Sequence, residues 1–565
     1  MKTVVISGGS GNDSLLKGLH SLYKPMELRI IVNAYDDGKS TGVCRNVTHT
    51  LGVSDIRKNH ARLYSLYNQN NINANIVAFY SQRYDLPKGK ECEYAKAKLD
   101  ELDLSSLKEF VDLFFANQTA NKYDYFDFSI ANIVYSAMYQ KFGYEKANEL
   151  ICEMFKIPNI VLMNSFENVC LSAVTTNNNY LSNEAAIVDF ANTSDKINKL
   201  VYDSETPTSL NPTVIKEISD ADLLVISCGT FWSSIYPTLQ YGDLYKAINR
   251  TKAFKVFVMN NTQDKDAYHV GSNEFIDILN DELGLDMSKF VVIENKDADE
   301  LLHQDCSHAN YNVVSYHMGN VRGKHEPMLL AMAVFREYFG LRDFMPKDIL
   351  VDFDNTIYSS SACDCGVVKS NLVEVSNNKK IHIVSGNDYK TAILPVFDAF
   401  GVEIKNDVWA DASSILYVDG KKKTCVKNHL LNVDAISFVK DYLRENFGII
   451  GIINDDESPS CFKVKPLGRL ERSILVCHLN KFVFKSFGIK CLKAVPTGRT
   501  TIDIVTRKNN KANIFDACNC DKSTCLYIGD ETEDYGNDYD IARACGKYIR
   551  VSNIYETNII LKILS

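Results

Sequence analysis

The sequence predicts an α/β protein that folds as two domains. Short Val/Ile-rich runs alternate with longer amphipathic segments, which is the pattern of parallel sheets covered by helices. The chain has 565 residues, and at roughly 100–200 residues per domain this length calls for more than one folding unit. A proline at position 346 follows a long helical run and precedes a new strand, so we predict domains at 1–345 and 346–565.

The predicted strands are mostly followed at once by small or polar residues. Those of the first domain are TVVIS, LRIIVNAY, IVLMN, DLLVIS, KVFVMN and FVVIE, and those of the second are DILVDFD, KIHIVS and CLYIGD. Because α/β sheets bind ligands beyond the carboxyl ends of their strands, we expect the functional residues directly after these runs.

Composition and charge argue against nucleic acids and membranes as partners. The net charge is −9, and no long block of like charge occurs. No stretch approaches the ~18–20 apolar residues of a membrane-spanning helix. The opening residues MKTVVISGGS suit a first strand better than a signal peptide. We therefore expect a cytoplasmic protein that binds small molecules, and a homo-oligomer stays open.

The cysteines suggest a reducing compartment. There are sixteen of them in a large chain, which favours reduced, mostly buried side chains over a disulfide framework. Cys363-Asp-Cys365 and Cys518-Asn-Cys520, the latter followed by Cys525, are metal-binding residue types. Neither group has the paired CxxC spacing of a zinc site, so spacing alone argues against zinc.

Two acids end the first strand of the second domain. Asp352 and Asp354 stand two residues apart where the chain leaves this strand. A carboxylate there can attack phosphorus and form an aspartyl phosphate, which divides one difficult hydrolysis into two easier steps. The other acid can protonate the leaving oxygen and later deprotonate water. Asp is also common in turns and helix caps, so one such pair alone is weak evidence.

Three later segments supply the other groups that phosphoryl transfer needs. Ser385 ends the strand IHIVS, where its hydroxyl can hold a phosphoryl oxygen, and Lys511 brings a positive charge. Asp530 ends the strand CLYIGD and offers a hard oxygen ligand for Mg²⁺, with Asn537 and Asp538 behind it. The sequence thus predicts a magnesium-dependent phosphoryl-transfer site.

These segments resemble, in order, the four motifs of the haloacid dehalogenase superfamily. The matching pieces are DFDNT, the strand ending at Ser385, Lys511 and GDETEDYGNDYDIA, over about residues 347–555. The resemblance implies a nucleophile at Asp352, a general acid/base at Asp354, phosphate ligands at Ser385 and Lys511, and magnesium held by Asp352, the Asp354 carbonyl and Asp530.

The last motif looks most like those of phosphomannomutase and sugar-phosphate phosphatases, which carry a large cap. The resemblance implies an inserted α+β cap at about 389–495, with Arg469, Arg472 and Arg499 as candidate substrate contacts. The second motif reads SGND, where Thr-Gly-Arg is common among capped phosphatases. The choice between phosphatase and phosphomutase therefore stays open.

Glycines and acids follow the first two strands of the first domain. Residues 7–12 (SGGSGN) join a strand to an amphipathic segment, and glycines there let backbone amides approach a phosphate. The next strand runs into Asp36 and Asp37, and Arg57 follows in SDIRKN. Clustered acids beside a Gly/Ser/Thr loop suit a diphosphate-bound magnesium or a ribose, and the guanidinium suits phosphate. Taken alone, each piece is equally compatible with an ordinary turn.

Together, several blocks of the first domain resemble the family of 2-phospho-lactate transferases and YvcK-type gluconeogenesis factors (CofD-like). The blocks are SGGSGNDSLLKGL, NAYDDGKSTG, SDIRKN, FSIANIVYSAM, LMNSFENVCLSA, ADLLVISCGTFWSSIYPTL and VFVMNNTQDKDAY, within about residues 1–340. The resemblance implies a Rossmann-like core that binds a nucleotide or nucleotide-linked ligand. The pocket residues that it implies are Gly8, Gly9, Ser10, Gly11, Asp36, Asp37, Asn132, Gly229 and Thr230.

The two resemblances lead to one functional hypothesis with two rivals. The leading hypothesis is a bifunctional enzyme with an N-terminal transferase acting on a nucleotide-activated phospho-metabolite and a C-terminal Mg²⁺-dependent phosphatase. One rival makes the first domain a nucleotide-sugar sensor that regulates the phosphatase. The other makes the second domain a phosphomutase. A scaffold without activity is disfavoured because both acidic sites are intact.

Overall fold

The structure is a computed structural model, and it divides the chain into two compact units, Met1–Val334 and Phe335–Ser565. It describes the chain except residues 23–26, 192–193, 204–208, 269, 303–310, 362–365, 404–406, 411–414, 426–432, 448–449, 454–460, 467–470, 498–500, 508–509 and 535. No helix among the described residues is long and apolar enough to cross a membrane.

The first unit is built on a seven-stranded parallel sheet with the strand order β10-β9-β8-β7-β1-β2-β3. A smaller antiparallel sheet has the order β5-β4-β6. The strands are β1 Lys2–Ile6, β2 Glu27–Val32, β3 Val161–Met163, β4 Leu171–Thr175, β5 Tyr180–Leu181, β6 Ile197–Tyr202, β7 Leu223–Ile226, β8 Phe254–Val258, β9 Phe290–Asn295 and β10 Asn312–Tyr316. The predicted parallel α/β architecture is confirmed.

The central strands are apolar along their whole length because helices cover both faces of the sheet. In β7 every residue is buried, and in β1 only the first is not. The helices of this unit are α1 Asp13–Leu22, α2 Lys39–Thr48, α3 Ser54–Tyr67, α4 Ala74–Ser81, α5 Glu91–Glu101, α6 Lys108–Phe115, α7 Ile130–Phe142, α8 Tyr144–Phe155, α9 Glu184–Val188, α10 Pro212–Ser219, α11 Tyr236–Gln240, α12 Leu244–Arg250, α13 Ser272–Asp277 and α14 Pro327–Tyr338.

Helix α14 spans the division between the two units. The predicted boundary at 345/346 lies beyond the end of this helix, whereas the compact units divide after Val334. The last turn of α14 belongs to the second unit, within which Arg336 Nη2 donates a hydrogen bond of 3.1 Å to the Ile563 carbonyl oxygen. A helix pattern in the sequence gives no sign of where along its length such contacts begin.

The second unit contains a seven-stranded sheet with the order β17-β16-β15-β14-β11-β22-β23. Its five strands from β15 to β23 in this order are parallel, and β16 and β17 extend one edge in antiparallel fashion. The strands of this unit are β11 Asp348–Asp352, β12 Tyr358–Ser359, β13 Gly366–Val367, β14 Lys380–Val384, β15 Asp407–Ala410, β16 Ile415–Val418, β17 Lys421–Cys425, β18 Ile450–Ile453, β19 Cys461–Pro466, β20 Leu492–Thr497, β21 Thr501–Thr506, β22 Cys525–Gly529 and β23 Lys547–Arg550. Its helices are α15 Ser370–Ser376, α16 Leu394–Phe400, α17 Val433–Phe447, α18 Arg472–His478, α19 Phe484–Ser486, α20 Tyr539–Ala544 and α21 Ile554–Leu564.

An α+β insert with its own hydrophobic core interrupts this unit. A four-stranded antiparallel sheet, β18-β19-β21-β20, packs with α17 and α18 through buried residues that include Leu443, Val464 and Leu475. The predicted cap range of 389–495 differs from this arrangement in two ways. The elements from α16 to β17 belong to or flank the large sheet, and β21 belongs to the insert although it follows residue 495.

Candidate functional site

The strand order places Asp352 at the centre of the second unit's large sheet. Asp352 is the last residue of β11, which lies between β14 and β22. The chain continues from β11 to β14 on one side and returns to β22 on the other side. The loops that leave the sheet there therefore diverge and open a crevice. Asp352 is only 3% exposed. The carboxylate thus faces a site that is largely shielded from water.

Lys511 joins two buried carboxylates. Its ammonium contacts Asp352 Oδ1 and lies 2.6 Å from Asp538 Oδ1. Asp538 also accepts hydrogen bonds from the Tyr527 hydroxyl at 2.6 Å and from the Glu531 amide at 3.1 Å. These donors fix the carboxylate of Asp538, and through Lys511 they fix the position of Asp352.

The carboxylates of Asp352, Asp530 and Asp538 form a group that fits a divalent cation. One oxygen of each lies within 4.8 Å of the others. Three carboxylates face a single ammonium, so the group has an excess of negative charge. Asn537 adds a side-chain oxygen that is buried and has no hydrogen-bond partner among the described residues. Hard oxygen ligands with unmet charge are what Mg²⁺ prefers.

Burial and the same excess of negative charge shift the pKa values of Asp352, Asp530 and Lys511. Burial, followed by the neighbouring Asp538 carboxylate, raises the pKa of Asp352 well above its ordinary value. Burial and Asp538 also raise the pKa of Asp530 to about 6. Burial alone would lower the pKa of Lys511, but Asp352 and Asp538 outweigh it and raise that pKa. A cation bound between the carboxylates would reverse the upward shifts of the acids.

Asn387 connects the two remaining predicted residues of this site. Its side-chain amide donates to Asp354 Oδ2 at 2.6 Å, and its backbone N–H donates to Ser385 Oγ at 3.0 Å. The carboxylate of Asp354 is therefore held by the loop after β14 and is not part of the three-carboxylate group. Asn387 was absent from the predicted site, although it lies in the SGND segment that follows the predicted strand.

The insert reaches the motif that follows Asp530. Arg472, at the start of α18, forms an ion pair of 2.6 Å with Glu531. Its guanidinium is thus paired within the protein and anchors the insert beside the loop that follows Asp530. Arg469 and Arg499, the other two predicted cap contacts, lie outside the described residues.

In the first unit, the loop after β1 is closely packed. A Cβ on Gly9 would collide with Asp55 Oδ1, and a Cβ on Gly11 would collide with the Cys228 carbonyl oxygen. A Cβ on Gly8 would lie 2.7 Å from a serine hydroxyl. Only glycine lets this loop approach the start of α3 and the loop after β7 so closely.

The predicted residues after β7 join the same region. Gly229 and Thr230 are half-buried, whereas Ser10 is exposed at the tip of the first loop. The Gly229 amide donates to Asn260 Oδ1 at 3.2 Å, and the Thr230 hydroxyl donates to Ser234 Oγ at 3.0 Å. The loops after these strands lie close together because β7 and β2 both pair with β1, one on each side.

Four acidic side chains form a cluster beside these loops. Two are the predicted Asp36 and Asp37, and the other two, Asp55 and Glu184, were absent from the predicted site. The Asp37 Oδ1 atom accepts a hydrogen bond of 3.0 Å from the Glu184 amide. Burial, together with the Asp36, Asp55 and Asp37 carboxylates, raises the pKa of Glu184 to about 9. Lys58 lies 3.5 Å from Asp55 Oδ1 and partly neutralises the cluster.

Asn132 lies behind this cluster and not on its surface. It is 1% exposed, and it accepts a hydrogen bond of 2.7 Å from Arg57 Nε while donating one of 3.0 Å to Ser40 Oγ. Burial lowers the pKa of Arg57. Asn132 therefore holds α2 and α3 together, and any effect it has on a ligand acts through those helices.

Residues 3–328 match the family described as 2-phospho-L-lactate transferase CofD. The chain belongs to this family. The match lies within the first unit, so the second unit is an addition to the region that defines the family. A gluconeogenesis factor from Bacillus subtilis is 24% identical over 300 residues, which cover 52% of this chain and 79% of that protein.

Two solved structures that are similar to parts of the chain have TM-scores below 0.5. Protein BH3568 from Bacillus halodurans has a TM-score of 0.46 and 17% identity, covering 59% of this chain and 98% of its own. Over the C-terminal part, an IMP-nucleotidase from Plasmodium falciparum has a TM-score of 0.32 and 18% identity, covering 42% of this chain and 71% of its own.

Proposed function

We propose that the second unit is a Mg²⁺-dependent phosphatase of the haloacid dehalogenase type, with Asp352 as its nucleophile. The observation that carries this proposal is the contact of a buried Asp352 with Lys511, beside the carboxylates of Asp530 and Asp538. Phosphoryl transfer needs a nucleophile, positive charge around the phosphoryl oxygens and little else. The four segments that supply these groups occur in the order of the superfamily's motifs.

In the first step, a carboxylate oxygen of Asp352 attacks phosphorus, and the bond from phosphorus to the leaving oxygen breaks. Asp354, held by Asn387, gives a proton to the leaving oxygen, so the product departs as a neutral alcohol. Lys511 offsets negative charge on the phosphoryl oxygens, with Ser385 as a further hydrogen-bond donor to them. The result is an aspartyl phosphate on Asp352.

In the second step, water attacks phosphorus while Asp354 takes its proton, which releases inorganic phosphate and restores Asp352. Asp352, Asp530 and the Asp354 carbonyl would hold Mg²⁺, with Asn537 and Asp538 behind them. When bound, the ion neutralises charge on the transferred phosphoryl group.

The test is phosphate release with Mg²⁺ from a panel of sugar phosphates, phospho-acids and nucleotides. We expect release by the intact protein and none above background by Asp352→Asn. Asp441→Asn is the matched control, because Asp441 is an exposed acid of the same unit. Equal release by all three proteins would contradict the proposal. Isomerised product that depends on a bisphosphorylated sugar would favour the phosphomutase.

For the first unit, we propose binding of a nucleotide-linked phosphorylated metabolite and transfer of part of it. Support comes from family membership and from the glycine loop, whose backbone amides can bind phosphate. The acidic cluster at the switch point of the sheet gives further support. If the product of one unit were the substrate of the other, the fusion of the two would serve a sequence of reactions. Inactivating either unit and following the other's substrate range tests this coupling.

A regulatory role is the second candidate for the first unit, because its curated relatives are named gluconeogenesis factors. A sensor would bind a nucleotide sugar without consuming it and would change the rate of phosphate release. Calorimetry of the full chain with nucleotide sugars, followed by chromatography of the ligand, separates the two roles. An unaltered ligand together with a changed phosphatase rate favours the sensor.

A further inference from the structure

A second group of potential metal ligands lies at the opposite end of the strand that carries Asp352. Asp348 begins β11, His382 lies within β14, and Cys520 lies between two short helices that precede β22. One ligand atom of each residue lies within 4.8 Å of the other two. None of these residues takes part in the phosphatase site, so the group needs an explanation of its own.

The distances match those between ligands of one tetrahedral ion. The His382 Nε2 atom lies 3.5 Å from Cys520 Sγ and 3.6 Å from Asp348 Oδ1. Zinc bonds of about 2.3 Å to sulfur and about 2.0–2.1 Å to nitrogen or oxygen place tetrahedral ligands roughly 3.3–3.6 Å apart. An ion can therefore enter with little movement of the protein.

Two further thiols are available for a fourth ligand. The thiols of Cys518 and Cys525 both neighbour that of Cys520. Cys525 is the first residue of β22, and its Cα is paired with that of Asp348 on the neighbouring strand. Four-coordinate sites of cysteine, histidine and carboxylate ligands are typical of zinc.

The second nitrogen of His382 has the partner that a metal-binding histidine usually has. Asp407 Oδ2 lies 3.4 Å from Nδ1, and Lys380 in turn lies 3.3 Å from Asp407. A carboxylate that accepts the Nδ1 proton leaves Nε2 free to bind a metal. The Trp409 indole N–H donates a hydrogen bond of 3.4 Å to Nδ1, so metal binding at Nε2 requires the ring proton to move to Nδ1, where Asp407 can accept it.

The environment is costly for these groups without a cation. His382 is fully buried, and Cys520 packs against the core around Tyr527 and Ile541. A bound Zn²⁺ coordinates Cys520 as the thiolate and offsets the negative charge of the Asp348 carboxylate.

We propose that Asp348, His382 and Cys520, with Cys518 or Cys525 as the fourth ligand, form a structural zinc site. The proposal is independent of the phosphatase and of the first unit. The cysteines lack a CxxC pair, so their spacing argued against zinc. That spacing could not indicate Asp348 and His382, which come from strands distant in sequence. The site ties Cys520 to the sheet, and the same connecting segment begins with Lys511. Zinc thus fixes the segment that delivers Lys511 to Asp352.

The first test is metal content, measured by mass spectrometry on full-length protein purified with zinc in the medium. We expect about one zinc per chain in the wild type, in Asp352→Asn, and in Cys491→Ser, since Cys491 is an exposed cysteine of the same unit. We expect less than about a tenth of that in Cys520→Ser and His382→Gln. Zinc retained by both variants would overturn the assignment.

A second test avoids variants that fail to fold. Co²⁺ added to chelator-treated wild-type protein should produce the absorption of cobalt–thiolate coordination, and zinc should abolish it. We also expect the chelator to lower the thermal unfolding temperature and Zn²⁺, but not Mg²⁺, to restore it. The proposal is overturned by wild-type protein that carries no zinc and shows no cobalt–thiolate band. A disulfide among Cys518, Cys520 and Cys525 in protein purified under reductant would also overturn it.

Discussion

Both units have clustered acids beside a large parallel sheet, but the surroundings of those acids differ. In each unit the first strand lies between two later strands, and loops leave the sheet at that point. In the second unit, Lys511, Tyr527 and Asn387 fix the orientation of the carboxylates around Asp352. In the first unit the acids crowd one another, and the pKa of Glu184 is raised to about 9.

Acids with raised pKa values occur in both units, and we propose that the fixed donors of the second unit prepare its site for chemistry, whereas the cluster of the first unit is prepared for a charged ligand. A nucleophile must be oriented before its substrate arrives, and fixed donors achieve that. Crowded acids that hold protons at neutral pH can instead exchange them for a cation that a ligand brings.

Lys511→Met should have the largest effect on stability. Removal of this buried ammonium leaves Asp352 and Asp538 without their partner, and breaking a buried pair costs about 3–5 kcal/mol. The free energy of unfolding of the full chain in urea measures the loss. Lys562→Met removes an exposed ion pair with Glu374 and should cost less than about 1 kcal/mol. Equal losses in the two variants would show that the buried contact is not special.

Asn387→Ala should slow the phosphatase by about 10–100-fold for sugar phosphates, because Asp354 loses the donor that holds it. The effect should be much smaller for p-nitrophenyl phosphate, whose leaving group needs no proton. The difference is measured as kcat/KM on both substrates, because kcat/KM reports the first step, in which Asp354 acts only as the acid. A uniform loss on both would mean that Asn387 does not act through Asp354.

Mg²⁺ binding to the second unit should weaken as pH falls through 6. Burial and Asp538 raise the pKa of Asp530 to about 6, and its protonated form is a poor ligand. A single competing proton of that pKa predicts an apparent Mg²⁺ affinity about tenfold weaker at pH 5 than at pH 7. Titration of phosphate release with Mg²⁺ at both pH values tests this. An unchanged affinity would remove Asp530 from the metal ligands.

Glu184→Gln should have the smallest effect, which we expect only in the pH dependence of the protein's stability. Because the folded pKa of Glu184 lies above its ordinary value, its stabilising contribution is complete at low pH and is lost as pH rises through about 9. We expect wild-type stability to fall between pH 6 and pH 9.5 by about 1 kcal/mol more than that of the variant. Thermal unfolding across this range measures it, and parallel curves would contradict it.

The sequence predicted the strands well because they have local signals, and the predicted loop residues follow those strands. Asp352, Asp530 and Ser385 lie at the carboxyl ends of strands whose apolar runs are unmistakable, and the structure brings the first two together. The glycines at positions 8, 9 and 11 occupy a loop with no room for side chains. These features follow from strand periodicity and turn chemistry within a few residues.

The missed residues depend on contacts between distant segments. Glu184 contacts Asp37 across 147 positions in the chain, and no motif surrounds it. Cys520 meets His382 across 138 positions. The limits of the α+β insert could not be predicted from the sequence either. The segments β15 to β17 and β18 to β21 have similar strand patterns, and only the pairing of the strands assigns them to different sheets.

The most direct test of the account is the location of the phosphoryl group during turnover. Asp354→Asn should still attack p-nitrophenyl phosphate but should hydrolyse the intermediate slowly, because the base that activates water is lost. We predict a burst of nitrophenolate and, after acid quenching and proteolysis, a phosphoryl group on the peptide that contains Asp352. A phosphoryl group on another residue, or the same burst from Asp352→Asn, would contradict the assignment of Asp352 as the nucleophile.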